Sequence, residues 1–367
     1  MPKKSSGSSA TYKKSGVDIE AGDKASAKAY KAAVTTHSAR KGLFGTPLKL
    51  DGGFAGALDC GEFLLIQNDD GTGSKSLVAE QMNKYDTLGY DLLAMVADDA
   101  ICVGAEVMSM TNTIDIKKVD DKIIGPMMEG LAEACKEQNI VIMGGEIAEL
   151  KDQLKSMTWN ASALGIVEKH KFITGMHVRP GDQVIGLQSR GFRSNGLSLV
   201  RYILKKAHGD NWHRKKFNTA HTWGQMVLTP SRIYHNAILE MIGRYEKGES
   251  RVHPKGIIHN TGGGIPGNME RILKKTGRGA HLDNLLPAHK SMLALQKLGN
   301  VGDEEAYRAW NMGIGMMLIV DPSEAREVIS IARKNNIVAQ VMGEITKDPG
   351  ISIVSEGHFG NGLTLEF

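Results

Sequence analysis

Four short apolar runs in this chain each give way to a cluster of glycines, hydroxyls and acids, and that recurring junction constrains the fold more than any other feature. Residues 63–66 lead into Asp69-Asp70-Gly71-Thr72-Gly73-Ser74-Lys75, and residues 140–143 into Gly144-Gly145-Glu146. Residues 183–187 lead into Gly191-Phe192-Arg193-Ser194-Asn195-Gly196, and residues 257–259 into Thr261-Gly262-Gly263-Gly264. Runs this short read as buried strands, and glycine lets the backbone behind them turn sharply or approach an anion closely. A fifth apolar run spans 315–320. Between them, helical periodicity covers 87–103, 126–138, 197–207 and 323–335. Pro322 and Ser323, with Glu324 and Glu327 behind them, suit the start of the last helix. Strands mixed with helices predict an α/β or α+β class.

A length of 367 residues favours two domains. The polar stretch 168–171 and the turn Arg179-Pro180-Gly181-Asp182 set a boundary near residue 170. The expected division is a polar tail over 1–12, an N-terminal domain over 13–170 and a C-terminal domain over 171–367. The aperiodic, aromatic-dotted stretch 208–221 reads as an insertion loop. A formal charge of +4 and 5% aromatic residues do not make a nucleic-acid surface. Cys60, Cys102 and Cys135 are scattered, which fits reduced core thiols in the cytoplasm better than zinc. The N-terminus lacks the apolar stretch of a secretory signal, and no apolar run reaches membrane-spanning length.

The junctions carry the chemistry. In the first, Asp70 and Lys75 flank small residues, a pattern suited to a phosphate and its cation or to a solvated turn. It is not a Walker loop, since the acids precede the glycines. Asp91 and Asp98 lie seven apart on one helix face, with Asp99 beside them. Viewed alone this is an exposed polar stripe; beside Asp70, a metal becomes the alternative. Gly144-Gly145-Glu146 reads either as a metal–phosphate site or as a strand-to-loop turn. The glycines at 262–264 open a helix, where free N–H groups and the helix dipole attract anions. Asp51-Gly52-Gly53-Phe54-Ala55-Gly56 is a glycine loop of open purpose.

Taken in order, these segments resemble the phosphoribosylformylglycinamidine cyclo-ligase family from about residue 12 to residue 346. Tyr12 to Gly22 is similar to Y-x-x-x-G-V-D-I-x-A-G, and Asp70 to Lys75 to D-G-V-G-T-K. Gly144 to Glu149 resembles G-G-E-T-A-E, Ser194 to Arg201 resembles S-N-G-Y-S-L-V-R, and His259 to Gly264 resembles H-I-T-G-G-G. Asp98-Asp99 falls on the family's N-D pair. The resemblance implies an α+β subunit of two domains, the first with a mixed sheet that closes a β-barrel with its partner in a homodimer, the second sandwich-like. It implies ATP and Mg²⁺, with formylglycinamidine ribonucleotide closed to aminoimidazole ribonucleotide through an iminophosphate. Asp70, Asp99 and Glu146 would hold the cation. Lys75, His259 and Arg193 would be catalytic, Lys75 against phosphoryl charge and His259 moving a proton. Gly52, Gly53, Gly56, Gly71, Thr72, Gly73, Ser74, Gly144, Gly145, Ser194, Asn195, Thr261, Gly262, Gly263 and Gly264 would line the nucleotide. The chain departs from the pattern in Arg193 for a His, Asp98 for an Asn, Asp69 for a Thr and Tyr85 for a His. Sibling activities (formylglycinamidine synthase, selenophosphate synthetase, thiamine-phosphate kinase) and a nucleotide-binding protein without catalysis are the alternatives.

Overall fold

The computed structural model describes residues 9–49 and 53–367. Two sheets organise them. The first comprises β1 (Thr46–Pro47), β2 (Gly56–Asp59), β3 (Phe63–Gly71), β4 (Glu106–Ile116), β5 (Val141–Glu149) and β6 (Thr158–Glu168), in the order β1-β2-β3-β6-β4-β5. The second comprises β7 (Gln183–Gln188), β8 (Gly256–His259), β9 (Gly279–Leu282), β10 (Ile314–Val320), β11 (Ala339–Thr346), β12 (Gly350–Val354) and β13 (Thr364–Glu366), in the order β13-β12-β9-β11-β7-β10-β8. Each is antiparallel but for one parallel pair, β4 with β5 and β9 with β12. The result is a mixed α+β fold in two parts.

The helices in chain order are α1 (Ile19–Thr35), α2 (Lys75–Met82), α3 (Leu88–Ile101), α4 (Asp121–Gln138), α5 (Leu197–His208), α6 (Trp223–Val227), α7 (His235–Ile242), α8 (Gly264–Leu273), α9 (Lys290–Gly299), α10 (Asp303–Ala309) and α11 (Ala325–Lys334). The strand β10 is buried along its whole length, as a central strand covered on both faces must be. Along β6 burial alternates, with Trp159, Ala161 and Ala163 inside and Asn160 and Leu164 exposed, so one face of the first sheet is open.

Helix α3 fixes the relation of the two parts. Leu88, Leu92, Leu93, Val96 and Ala97 are fully buried, and the helix packs on β3, β6, α4 and α7. Each such Leu or Val side chain contributes about 1.5–3 kcal/mol by leaving water. The three cysteines are buried and unbridged, as expected of core thiols.

Several expectations shift. Strand β3 runs on to Gly71, so Asp69 and Asp70 are strand residues and the turn begins at Thr72. Gly144, Gly145 and Glu146 lie inside β5 and not in a loop after it. Helix α4 begins at Asp121 and carries Pro126 within it. The stretch 208–221 is no bare insertion: Trp212 is buried and Phe217 packs on the Trp223 ring at 4.8 Å. Residues 9–12 are docked, with Ala10 buried and its N–H donating to the Gly299 carbonyl at 3.0 Å.

Candidate active site

Three helix N-termini, each entered through a glycine-bearing loop, meet at one place. A Cβ built on Gly73, ahead of α2, would lie 3.5 Å from the Ser194 carbonyl, ahead of α5. A Cβ on Gly262, ahead of α8, would lie 3.6 Å from Asn195 Oδ1. Free N–H groups and the positive ends of three helix dipoles thus share a small region, which suits a polyanion. The α8 loop is held from below. Asn268 is buried and its Nδ2 donates to the carbonyls of Thr261, Gly262 and Gly264 at 3.2, 3.1 and 2.8 Å. Gly264 has φ +64°, and any Cβ there would collide with the Tyr307 carbonyl, so only glycine makes this turn.

Acids stand beside the loops. Successive strand residues point to opposite faces, so Asp69 and Asp70 diverge. Asp69 turns to the open face of the sheet, where the Ser162 hydroxyl donates to it at 2.5 Å. Asp70 turns toward α3, close enough to Asp99 and His259 for their charges to act on it. Burial raises the Asp70 carboxyl to about 6, with Asp99 and Asp69 adding to the effect and the Gly71 N–H, 2.6 Å away, opposing it. Burial raises Asp99 to about 7 against the pull of Arg271 and Arg193. The Arg271 guanidinium itself stacks over the Phe54 ring at 5.0 Å.

Glu146 does not join this pair within one chain. Gly71, Asn160, Thr113 and Glu146 form one row across β3, β6, β4 and β5. Three strand spacings of about 4.8 Å separate its ends. Asn160, Thr113 and Glu146 are exposed, so Glu146 faces the open side, opposite Asp70. Among the described residues no three His, Cys, Asp or Glu side chains gather as metal ligands. Gly144 and Gly145 are equally distant from the loops. Gly145 makes room for the buried Asn112 side chain, whose Oδ1 accepts from Trp159 Nε1 at 2.9 Å. Gly53 and Gly56 are exposed around the buried Phe54; Gly52 lies outside the described residues. Gly71, the buried Thr72 and the half-buried Ser74 form the entry to α2.

Beneath the acids runs a buried ionic network. Asp91 and Asp98 are fully buried and paired, not an exposed stripe. Lys75 Nζ donates to Asp91 Oδ1 and to the Thr229 carbonyl, both at 2.7 Å, and burial lowers its pKa. The Ser231 N–H adds a bond to Asp91 Oδ1 at 3.1 Å. Arg193, in the left-handed region at φ +59°, is 1% exposed. Its Nη2 lies 2.7 Å from Asp98 Oδ2 and 2.8 Å from His259 Nε2, and its Nη1 donates to the Arg232 carbonyl. The guanidinium stacks on the Tyr234 ring, and the Tyr234 backbone N–H donates to the second Asp98 oxygen at 2.8 Å.

His259 is fully buried and its Nδ1 lies 2.7 Å from Asp99 Oδ1. Arg193 can only donate, so His259 Nε2 accepts and the ring proton sits on Nδ1, donated to Asp99. Burial, with Arg193 close by, lowers this imidazole to about 3, so the ring stays neutral. Neither nitrogen is free to exchange a proton with a substrate. His259 and Arg193, expected to be catalytic, are both engaged here in holding contacts to Asp99 and Asp98. Asn268, Ser231, Thr229 and Tyr234 were not singled out from sequence. The one signal that could have found them is the acid pair on an apolar helix, because burying it requires partners, but it does not say which.

Comparisons with known proteins follow the same two parts. The N-terminal domain of AIR synthase related protein matches residues 52–167, and its C-terminal domain matches residues 179–356. A phosphoribosylformylglycinamidine cyclo-ligase of Methanocaldococcus jannaschii is 40% identical over 91% of this chain and 92% of its own. One of Thermococcus kodakarensis is 34% identical over 95% and 98%. Among solved structures, a HypE–HypF complex aligns at TM-score 0.60 with 16% identity over 86% of this chain and 92% of that one. Thermotoga maritima PurL complexed with ATP aligns at TM-score 0.54 with 15% identity, covering 89% of this chain and 45% of that one. These two show a shared fold.

Proposed function

The chain belongs to the phosphoribosylformylglycinamidine cyclo-ligase family, of the AIR synthase related fold, and on that premise we propose that it is the ATP-dependent ligase that closes the imidazole ring of aminoimidazole ribonucleotide. The observation that carries this is alignment over nine-tenths of the chain with proteins of that name. The geometry supports it. A polyanion such as the ATP triphosphate suits the meeting of the loops before α2, α5 and α8. ATP phosphorylates the formamide oxygen of formylglycinamidine ribonucleotide: the new O–P bond forms as the bond to the ADP oxygen breaks. The neighbouring nitrogen then forms a C–N bond to the activated carbon, phosphate departs with the oxygen, and the nitrogen releases its proton to solvent. An oxygen that leaves poorly is thereby made to leave as phosphate, and the protein's task is positioning and charge stabilisation.

Asp70 and Asp99 fit a Mg²⁺ ion. Magnesium takes one or two carboxylates and completes its shell with phosphate oxygens and water, and two half-buried carboxyls raised toward neutrality would bind a cation by losing that strain. When bound, the ion offsets the charge of the triphosphate. Lys75 keeps Asp91 neutralised under the α2 loop, and His259 aims Asp99.

A homodimer is part of the proposal. The open face and edge of the first sheet expose Met108, Val141, Met143 and Leu164, with Met143 70% exposed. An apolar surface of this kind suits a second copy, and a barrel closed between two such sheets would cover it and bring Glu146 to an interface. No helix among the described residues is long and apolar enough to cross a membrane, in keeping with work in the cytoplasm. The test is purified protein with ATP, Mg²⁺ and formylglycinamidine ribonucleotide. ADP and aminoimidazole ribonucleotide in equal amounts are expected. ADP without the imidazole, or neither product, refutes the proposal. Sedimentation of the same sample reads the dimer, and a monomer at micromolar concentration refutes that part.

A further inference from the structure

Two departures from the family's sequence pattern, Arg193 and Asp98, are separated by 95 positions in sequence yet touch at 2.7 Å. They are one structural feature. We infer that the buried Arg193–Asp98 pair is a positioning device, which fixes the tautomer of His259 and thereby aims the Asp99 carboxylate at the nucleotide-bound cation.

The geometry makes the chain of causes short. Arg193 cannot lose its proton, so the imidazole nitrogen it faces must be the acceptor. That leaves the single ring proton on Nδ1, where it bonds Asp99 Oδ1 at 2.7 Å. Asp98 holds Arg193 in place through one oxygen and is itself held by the Tyr234 N–H through the other. Stacking on Tyr234 and a bond to the Arg232 carbonyl fix the guanidinium plane. Asp99, at the end of the chain of contacts, is half-buried, whereas Asp98, Arg193 and His259 are buried, so of these four it is the one open to a ligand. Arg193 and His259 come from the second part of the molecule and Asp98 and Asp99 from α3, so the device also registers one part against the other. The left-handed backbone at Arg193 has the same consequence, because it turns the side chain inward beneath the Ser194-Asn195-Gly196 loop.

A carboxylate that binds a cation loses affinity when its hydrogen-bonded supports are removed, by about 10–100-fold. Uncompensated buried charge adds to the loss in each single variant but not in the paired one. The inference rests on Asp99 as a cation ligand, so the readout is binding as well as turnover. Arg193→His, Asp98→Asn and the double variant are prepared as full-length protein. Isothermal calorimetry measures Mg²⁺ with a non-hydrolysable ATP analogue at a temperature where circular dichroism shows each to be folded. Each single variant is expected to weaken Mg²⁺-nucleotide binding about tenfold or more, and the double variant to lose no more than the weaker-binding single, since both residues act through one device. The KM for formylglycinamidine ribonucleotide is expected to stay within about twofold while that for Mg²⁺–ATP rises. Singles that bind within about twofold of the wild type, or a double variant whose loss is the sum of the two, overturn the inference. If a single variant does not fold, Arg193→Gln replaces it, since an amide can accept as well as donate and no longer fixes the tautomer, and unchanged binding in it is equally fatal. Wild-type binding of Mg²⁺-nucleotide without imidazole formation would instead refute the proposed reaction and leave the positioning inference standing.

Discussion

Replacing Asp70 by Asn removes a carboxylate that the free protein holds at a cost. Its folded value of about 6 against an ordinary 3.8 corresponds to about 3 kcal/mol once the group is ionised. Solvent reaches part of the side chain and screens the charge, so about 1–2 kcal/mol is the working figure. The sign follows from proton binding. Below pH 3.8 the carboxyl is protonated in folded and unfolded chains alike, and stability is unaffected. As pH rises through 6 the folded chain is forced to ionise a group that burial keeps protonated, and that stability is lost. Asn is neutral throughout and its Oδ1 still accepts the Gly71 N–H. Asp70→Asn therefore stabilises the metal-free, nucleotide-free protein at pH 8 by about 1–2 kcal/mol, or about 1–3 °C in melting temperature for a chain of this length. At pH 5 the gain is about half as large. Turnover is lost at both. Thermal unfolding followed by circular dichroism at the two pH values is the assay. A variant less stable than the wild type at pH 8, or a gain that does not change with pH, would refute the reasoning, because the cost would then not be that of a buried charge.

Three further outcomes follow from the same structure. Affinity for Mg²⁺ with an ATP analogue falls as pH drops through about 7 and about 6, where Asp99 and Asp70 take up protons; calorimetry at pH 8 and pH 5.5 should differ by about tenfold or more, and equal affinities would disconnect these acids from the cation. Lys75→Met strands Asp91 without its cation and costs about 3–5 kcal/mol in urea unfolding, most of which Lys75→Met combined with Asp91→Leu should restore. Gly264→Ala forces a Cβ into the left-handed region against the Tyr307 carbonyl; a loss of about 1–3 kcal/mol and weakened nucleotide binding are expected, and a neutral effect would show that the loop relaxes freely.

Much of the fold was legible because period and composition report directly on burial. The apolar runs 183–187, 257–259 and 315–320 became β7, β8 and β10, and the all-round apolar 87–103 became the buried α3. Where the reading failed, the missing quantity was direction. Asp69 and Asp70 are neighbours in sequence and face opposite sides of a sheet, and Glu146 matches a family motif yet sits on the wrong side of β5 to reach Asp70. The glycines at 144 and 145 read as a metal–phosphate site or a strand-to-loop turn; both lie inside β5, where Gly145 admits the Asn112 side chain. The hydrogen bonds of His259 were not legible because its partners, Arg193 and Asp99, lie 66 and 160 positions away. Sequence spacing carries no trace of a hydrogen bond that satisfies both ring nitrogens.

Helix α3 is sealed to the first sheet along its apolar flank and riveted to the other half by Asp91, Asp98 and Asp99. Swinging one half away from the other would expose those charges only after parting their buried hydrogen bonds. The two halves are consequently expected to move as a single block rather than as jaws, and on the proposed reaction the traffic of nucleotide and product would fall to the loops at its rim. If the proposed site is right, inhibitors shaped to wedge the halves apart would meet a wall, whereas compounds that stiffen the 194–196 or 261–264 turns would obstruct the entry.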